Sequence, residues 1–240
     1  MRRIAVIAVG VALCLGFMAV EAQAKNHHGW TGTWKGSWSH GNTYGDQEEG
    51  SGKITTETVE LPEFTRIRSL GSFDVTVKVG EKQSISVTAD DNLHDNLAIT
   101  VRGKTLRLDV EKSYSTHEQV HVEITVPKIE HIRCDGSGDI EVTNLSGGDF
   151  AYTLAGSADF HATGQVERLD VELDGSGEID TRDLIATQVF VEIAGSGTAL
   201  VYAKESIDAV VSGSGDIRYY GEPIHKSTEV TGSGSCRKGR

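Results

Sequence analysis

The sequence predicts an all-β protein, specifically a right-handed parallel β-helix, or solenoid, built from coils of about 19 residues. Three observations predict it. A Gly-Ser pair recurs at Gly136, Gly156, Gly175, Gly195, Gly213 and Gly232, each 18 to 20 residues after the one before. Around every pair, apolar and polar residues alternate with the period of two that a strand imposes. The chain also holds 28 glycines against three prolines, an excess that a corner on every coil explains.

The rows around the corner carry the argument. Two residues before each glycine stand Cys134, Leu154, Leu173, Ile193, Val211 and Val230, all apolar. Three residues before it stand Arg133, Thr153, Glu172, Glu192, Val210 and Glu229, mostly polar, as a solvent face requires. Four residues after it come Ile140, Phe160, Ile179, Ala199 and Ile217, apolar again. Each coil is therefore strand, corner, strand, with one inward row on either side. A repeat this short cannot bury its own apolar face. Stacking coils about 4.8 Å apart joins the rows into one core and pairs the backbone between coils. Parallel crossovers are right-handed almost without exception, which sets the expected hand. Glycine is expected at the corner because a tight turn uses positive φ, where a Cβ is resisted.

Before the regular coils, Leu61 to Pro127 is β-rich but less periodic, with "FDVTVKV", "SISVTAD", "LAITVRGKTLRLDV" and "VHVEITV". "VRGKTL" reads as a hairpin turn, and the whole stretch as the N-terminal coils and cap. At the other end Lys226 interrupts an apolar row, as expected of a last coil that meets water.

The first 24 residues read as a signal peptide. Arg2 and Arg3 precede an apolar run from Ile4 to Val20, and Ala22, Gln23 and Ala24 form an A-x-A cleavage pattern. The mature protein would begin at Lys25, with no transmembrane segment after cleavage, and act outside the cytoplasm: in the periplasm, on the cell surface or secreted. Residues 25–58 read as a flexible leader rich in Gly, Trp and His, 59–236 as the β-helix domain, and 237–240 as a basic tail. A formal net charge of −12 disfavours phosphate backbones, so no nucleic-acid partner is expected.

On these elements the chain resembles the family of auto-transporter adhesins with the head GIN domain. The matching stretches are "FTRIRSLGSFDVTVKVG", "LAITVRGKTLRLDV", "VHVEITVPKIEHIRCDGSGDIEV", the Gly-Ser succession and "SGSGDIRYYGEPIHKSTEVTGSG". The resemblance spans roughly residues 60 to 236 of the sequence. It implies a β-helical extracytoplasmic domain, adhesion as its role, and no catalytic motif.

Motifs for chemistry are sparse. The corners are compared with calcium-binding G-G-x-G-x-D repeats: "DGSGDIEV" has Asp139 where an Asp would ligate, whereas other corners read Ala158-Asp159 or Thr198 there, and tandem sites need adjacent carboxylates to share a cation. Simple polar corners are the expectation. Glu141, Asp159, Glu172, Glu178, Asp180 and Glu192 face outward by register, the kind of residues a polysaccharide-cleaving β-helix would need. Their dispersal fits a solvated face better. Single His94, His117, His121 and His131 show no ligand spacing. Cys134 belongs to the inward row. Cys236 lies five corners later, about 24 Å along the axis, too far for an intramolecular disulfide, though it could link two chains.

The leader "KNHHGWTGTWKGSWSHGNTYGDQEEGSGK" holds every tryptophan of the protein, Trp30, Trp34 and Trp38. They are candidate contacts for a glycan or envelope surface, because indole joins apolar area to a polar handle. Cleavage before Lys25 would put His27 third from a free amine. Lys25, Asn26 and His27 then form a candidate square-planar nitrogen site for Cu(II) or Ni(II), and no other cofactor is expected.

The function read from the sequence is a non-enzymatic extracytoplasmic β-helix module, an adhesin or a structural or binding protein of the cell envelope. Its expected partner is an envelope component or glycan, with self-association through the solenoid ends as a further expectation. The alternatives are a polysaccharide-active β-helix enzyme and an amino-terminal Cu(II)/Ni(II)-binding protein.

Overall fold

The computed structural model describes residues 47–240. Eighteen strands account for nearly all regular structure there, joined by one 3-10 turn at His94–Asn96. In chain order they are β1 (Glu48–Glu49), β2 (Ile54–Thr58), β3 (Arg66–Ser69), β4 (Phe73–Val79), β5 (Ser84–Asp90), β6 (Leu97–Arg102), β7 (Thr105–Val110), β8 (Tyr114–Ser115) and β9 (Val120–Val126). The regular part follows with β10 (His131–Cys134), β11 (Ile140–Ser146), β12 (Asp149–Leu154), β13 (Phe160–Leu173), β14 (Glu178–Ile193), β15 (Thr198–Val211), β16 (Asp216–Tyr220), β17 (His225–Val230) and β18 (Ser235–Lys238).

The pairings form a parallel β-solenoid with two walls. An entry wall, leading into the Gly-Ser corner, runs β7, β3, β10, β12, then the second halves of β13, β14 and β15, then β17. An exit wall, leaving the corner, runs β9, β4, β11, the first halves of β13, β14 and β15, then β16 and β18. All of these pairs are parallel, and outside the irregularities that shift register within the β11–β13, β13–β14 and β14–β15 pairs each inward row repeats coil by coil. Ile67, Ile132, Tyr152, Val171, Val191 and Ala209 form one such row, each at most 1% exposed. The walls meet in a single core: Tyr152 of the entry wall stacks on Phe160 of the exit wall with ring centroids 3.7 Å apart.

The corner glycines are required for a reason other than the expected one. Positive φ occurs at Gly232 but at none of the five corner glycines before it. A Cβ at any of Gly136, Gly156, Gly175, Gly195, Gly213 or Gly232 would instead run into the carbonyl oxygen of the glycine one coil earlier. That oxygen accepts the N–H of the next coil's serine, as in Ser157 N to Gly136 O at 3.2 Å and Ser196 N to Gly175 O at 3.1 Å. Stacked backbone, at the spacing a hydrogen-bond ladder sets, leaves no room for a side chain.

The irregular segment caps the solenoid. After β4 the chain leaves for β5 to β9 and returns to pair β10 with β3. In the exit wall β9 continues the parallel order, β5 reverses it, and β2 pairs antiparallel outside β5. In the entry wall β6 folds back on β7 through the hairpin at Gly103, whose φ is 61°. The last part of the stretch read as the leader, residues 25–58, takes part in the cap. Residues 48–49 and 54–58 are already strand, because the segment is bound to the cap. The Asp90 carboxylate, buried to 2% exposure, accepts the N–H of Gly52 and the hydroxyl of Thr116, while Asn92 bonds Ser51 N and Glu49 O.

Candidate functional site

The outer face of the exit wall gathers the most chemistry. One row holds His121 beside Asp74, and Glu178 beside Thr198 beside Asp216. Between them Asp139 and Asp159 join by side chain to backbone bonds: Asp139 N donates to Asp74 Oδ1 at 3.1 Å, Asp159 N to Asp139 Oδ1 at 3.4 Å, and Glu178 N to Asp159 Oδ1 at 2.9 Å. Like charges on adjacent strands repel. Here each carboxylate is held by the N–H of the following coil, which places it where the strand leaves the corner. The neighbouring row stacks Glu123, Thr76, Glu141, His161 and Asp180 in register.

Together Asp74, His121, Asp139, Glu141, His161 and Glu178 line a shallow open groove across successive coils. Asp180 lines it too. Its carboxylate is bonded by Arg182, Nε to Oδ1 at 2.9 Å, and that bond holds it below the usual carboxylate range. Arg182 lies 5.8 Å from the centroid of the Tyr220 ring. The groove therefore offers a repeating set of hydrogen-bonding side chains on a rigid sheet, with no Lys or Arg among its lining residues. Among the described residues, no group of three or more His, Cys, Asp or Glu is arranged to hold a metal ion.

The head end of the entry wall carries a stack of arginines. Arg107, Arg68 and Arg133 come from β7, β3 and β10 and stack in register, with Arg66 and His131 paired beside them. Asp135 bridges Arg68 and Arg133 at 2.8 Å each, and Asp109 takes Arg107. Burial pushes the Asp135 carboxyl up, but its bonds to Arg133 and Arg68 outweigh this and leave it below its ordinary value. Burial pushes His131 down, aided by Arg66.

Of the outward carboxylates expected from register, the structure separates two sets. Glu141, Asp159, Glu178 and Asp180 share the exit-wall groove, whereas Glu172 and Glu192 lie in register on the entry wall. The arginine stack was not found by sequence reasoning, since its members lie in segments far apart in the chain. Cys134 is buried in the inward row as expected and Cys236 is half-buried; both are free thiols. The candidate metal site Lys25, Asn26 and His27 and the candidate contacts Trp30, Trp34 and Trp38 lie outside the described residues.

A capped parallel arrangement of two walls with side-chain ladders on their outer faces defines a β-solenoid domain. The chain belongs to the family described as "Putative auto-transporter adhesin, head GIN domain", whose model matches residues 63–223. A Bacteroides fragilis structure described as a "putative adhesin" is similar over 79% of this chain and 99% of its own, at 24% identity and a TM-score of 0.59. A Parabacteroides distasonis structure described as a "putative lipid binding protein" is similar over 81% of this chain and 100% of its own, at 26% identity and a TM-score of 0.51. No curated protein matches the chain. Among the described residues, no helix is long and apolar enough to cross a membrane.

Proposed function

We propose that the protein is a non-enzymatic binding module of the cell envelope, acting outside the cytoplasm, whose exit-wall groove takes the hydroxyl-rich chain of an envelope glycan. The observation that carries this is the coil-by-coil repeat of acceptors from Asp74 to Glu178 in an open groove. A polyol presents donors at short regular intervals, and a rigid row of carboxylates and imidazoles meets them without reordering.

Co-sedimentation of the purified protein with isolated envelope fractions tests this. Glu141→Ala with His161→Ala should lose most of the bound fraction, while Glu172→Ala on the other wall should retain it. Equal retention by both variants would remove the groove from the account. The arginine stack supports a second reading, binding of an anionic lipid headgroup, in keeping with the description of the Parabacteroides distasonis protein. Planar guanidinium groups in register suit phosphate oxygens. Pelleting with anionic but not zwitterionic vesicles, lost in Arg68→Ala with Arg133→Ala, would favour that reading over the groove.

A further inference from the structure

One outer row of the entry wall changes character towards the tail. Following Ala151 it runs Asp170, Phe190, Asp208, Ser227 over successive coils. Leu169, Val189 and Ile207, one residue earlier on the same strands, are each at most 3% exposed, so alternation turns this row to solvent. Phe190 is its only large apolar side chain, partly exposed, with a carboxylate on the coil before and another on the coil after. Two residues earlier on the same face runs a second row, Arg168, Gln188, Ser206, His225. Arg168 Nε donates to both oxygens of Asp170, at 2.8 and 3.0 Å, which fixes that pair beside the ring. Ile224 adds a further apolar group. Its N–H is bonded to the Glu205 carbonyl at 2.8 Å, while its side chain is 80% exposed. Phe190 and Ile224 line one open cleft together with Arg168, Gln188, Ser206 and Asp208.

We propose that this cleft binds one pyranose ring of a neutral glycan, its C–H face laid on Phe190 and its hydroxyls shared among the polar side chains around the ring. A pyranose joins an apolar face to a rim of hydroxyls that both donate and accept, and the cleft answers each part. Phe190 and Ile224 supply apolar surface, Asp208 accepts, Arg168 donates, and Gln188 and Ser206 do both. Small-molecule sites are built in this way, with apolar lining and a few polar groups that fix orientation. The local charges cancel, Arg168 and Lys226 against Asp170 and Asp208, which favours a neutral ligand over an ion. Because Phe190, Gln188, Ser206 and Asp208 project from hydrogen-bonded strands, binding costs little ordering of the protein. The cleft lies on the other wall from the groove lined by Asp74 and Glu178 and does not rest on that reading.

Saturation-transfer difference NMR of the purified protein with cellotetraose and with tetra-N-acetylchitotetraose tests the proposal. Both probes are neutral and present C–H faces free of axial hydroxyls. The expected result is saturation of ring C–H protons in at least one probe, lost in Phe190→Ala and kept in Phe190→Tyr, which retains the ring. Asp208→Ala, at an exposed position, should weaken the signal without lowering the urea midpoint. Glu141→Ala with His161→Ala, in the exit-wall groove, should leave it unchanged. Saturation that persists in Phe190→Ala overturns the proposal; if it disappears instead in the Glu141→Ala, His161→Ala variant, the sugar sits in the exit-wall groove and that reading stands. Absence of transfer to either probe overturns the proposal as well, while the groove is judged separately by co-sedimentation with envelope fractions.

Discussion

Two hydroxyls, Tyr152 Oη and Ser69 Oγ, are buried without a hydrogen-bond partner. Each occupies an inward row that is otherwise apolar, beside Ile132 and Cys134 respectively. A buried donor without a partner costs its full desolvation energy, so Tyr152→Phe, which keeps the stack on Phe160, should raise stability by about 1 kcal/mol. A lower unfolding midpoint in thermal denaturation would mean that the hydroxyl has a partner. The Asp180–Arg182 pair makes a second residue-scale prediction. Because the folded carboxyl of Asp180 sits below its unfolded value, its contribution to stability is present above the ordinary carboxylate pKa of about 3.9 and is lost as pH falls through the lower folded value. Arg182→Gln should therefore flatten the acid limb of stability against pH, measured by urea midpoints from about pH 6 down to about pH 2. Both side chains are partly exposed, so the effect will be small.

At the scale of elements, the Gly-Ser corner and the hairpin at Gly103 use glycine for different reasons. At Gly175 a Cβ would collide with the Gly156 carbonyl inside a hydrogen-bonded stack, so Gly175→Ala should cost about 3 kcal/mol. At Gly103 the added atom meets nothing, and only the positive φ is penalised, at about 1 kcal/mol. Urea denaturation of the two variants should separate them clearly. The segment before β2 is also part of the folded domain. A chain beginning at residue 53 loses the Gly52 N–H that the buried Asp90 carboxylate accepts, and should unfold at lower urea than one beginning at residue 47. Equal midpoints would show that water replaces Gly52 without cost. Truncations that probe the leader should accordingly stop before residue 47.

For the whole molecule, basic side chains are concentrated in one patch, the β7–β3–β10 end of the entry wall, although the chain is acidic overall. The solenoid itself was legible in the sequence, because a corner every 18 to 20 residues and strict alternation leave one way to stack the coils. The inward row through Cys134, Leu154, Leu173, Ile193 and Val211 is buried as the pattern requires. The carboxylates Glu141, Asp159, Glu178 and Asp180 could be read as outward-facing for the same reason. Their gathering into one groove with Asp74 and His121 could not, because Asp74 lies 65 positions before Asp139 and reaches it only after the chain has detoured through β5 to β9. The arginine stack was hidden likewise, since β7, β3 and β10 become neighbours only in the order that the cap imposes. By itself the sequence determined the repeat, the inward rows and the positions of the corners, which are local and periodic. The tertiary structure alone decided which strand lies beside which at the irregular head and why the corner glycines admit no side chain. Those depend on contacts between residues far apart in the chain, for which period leaves no mark.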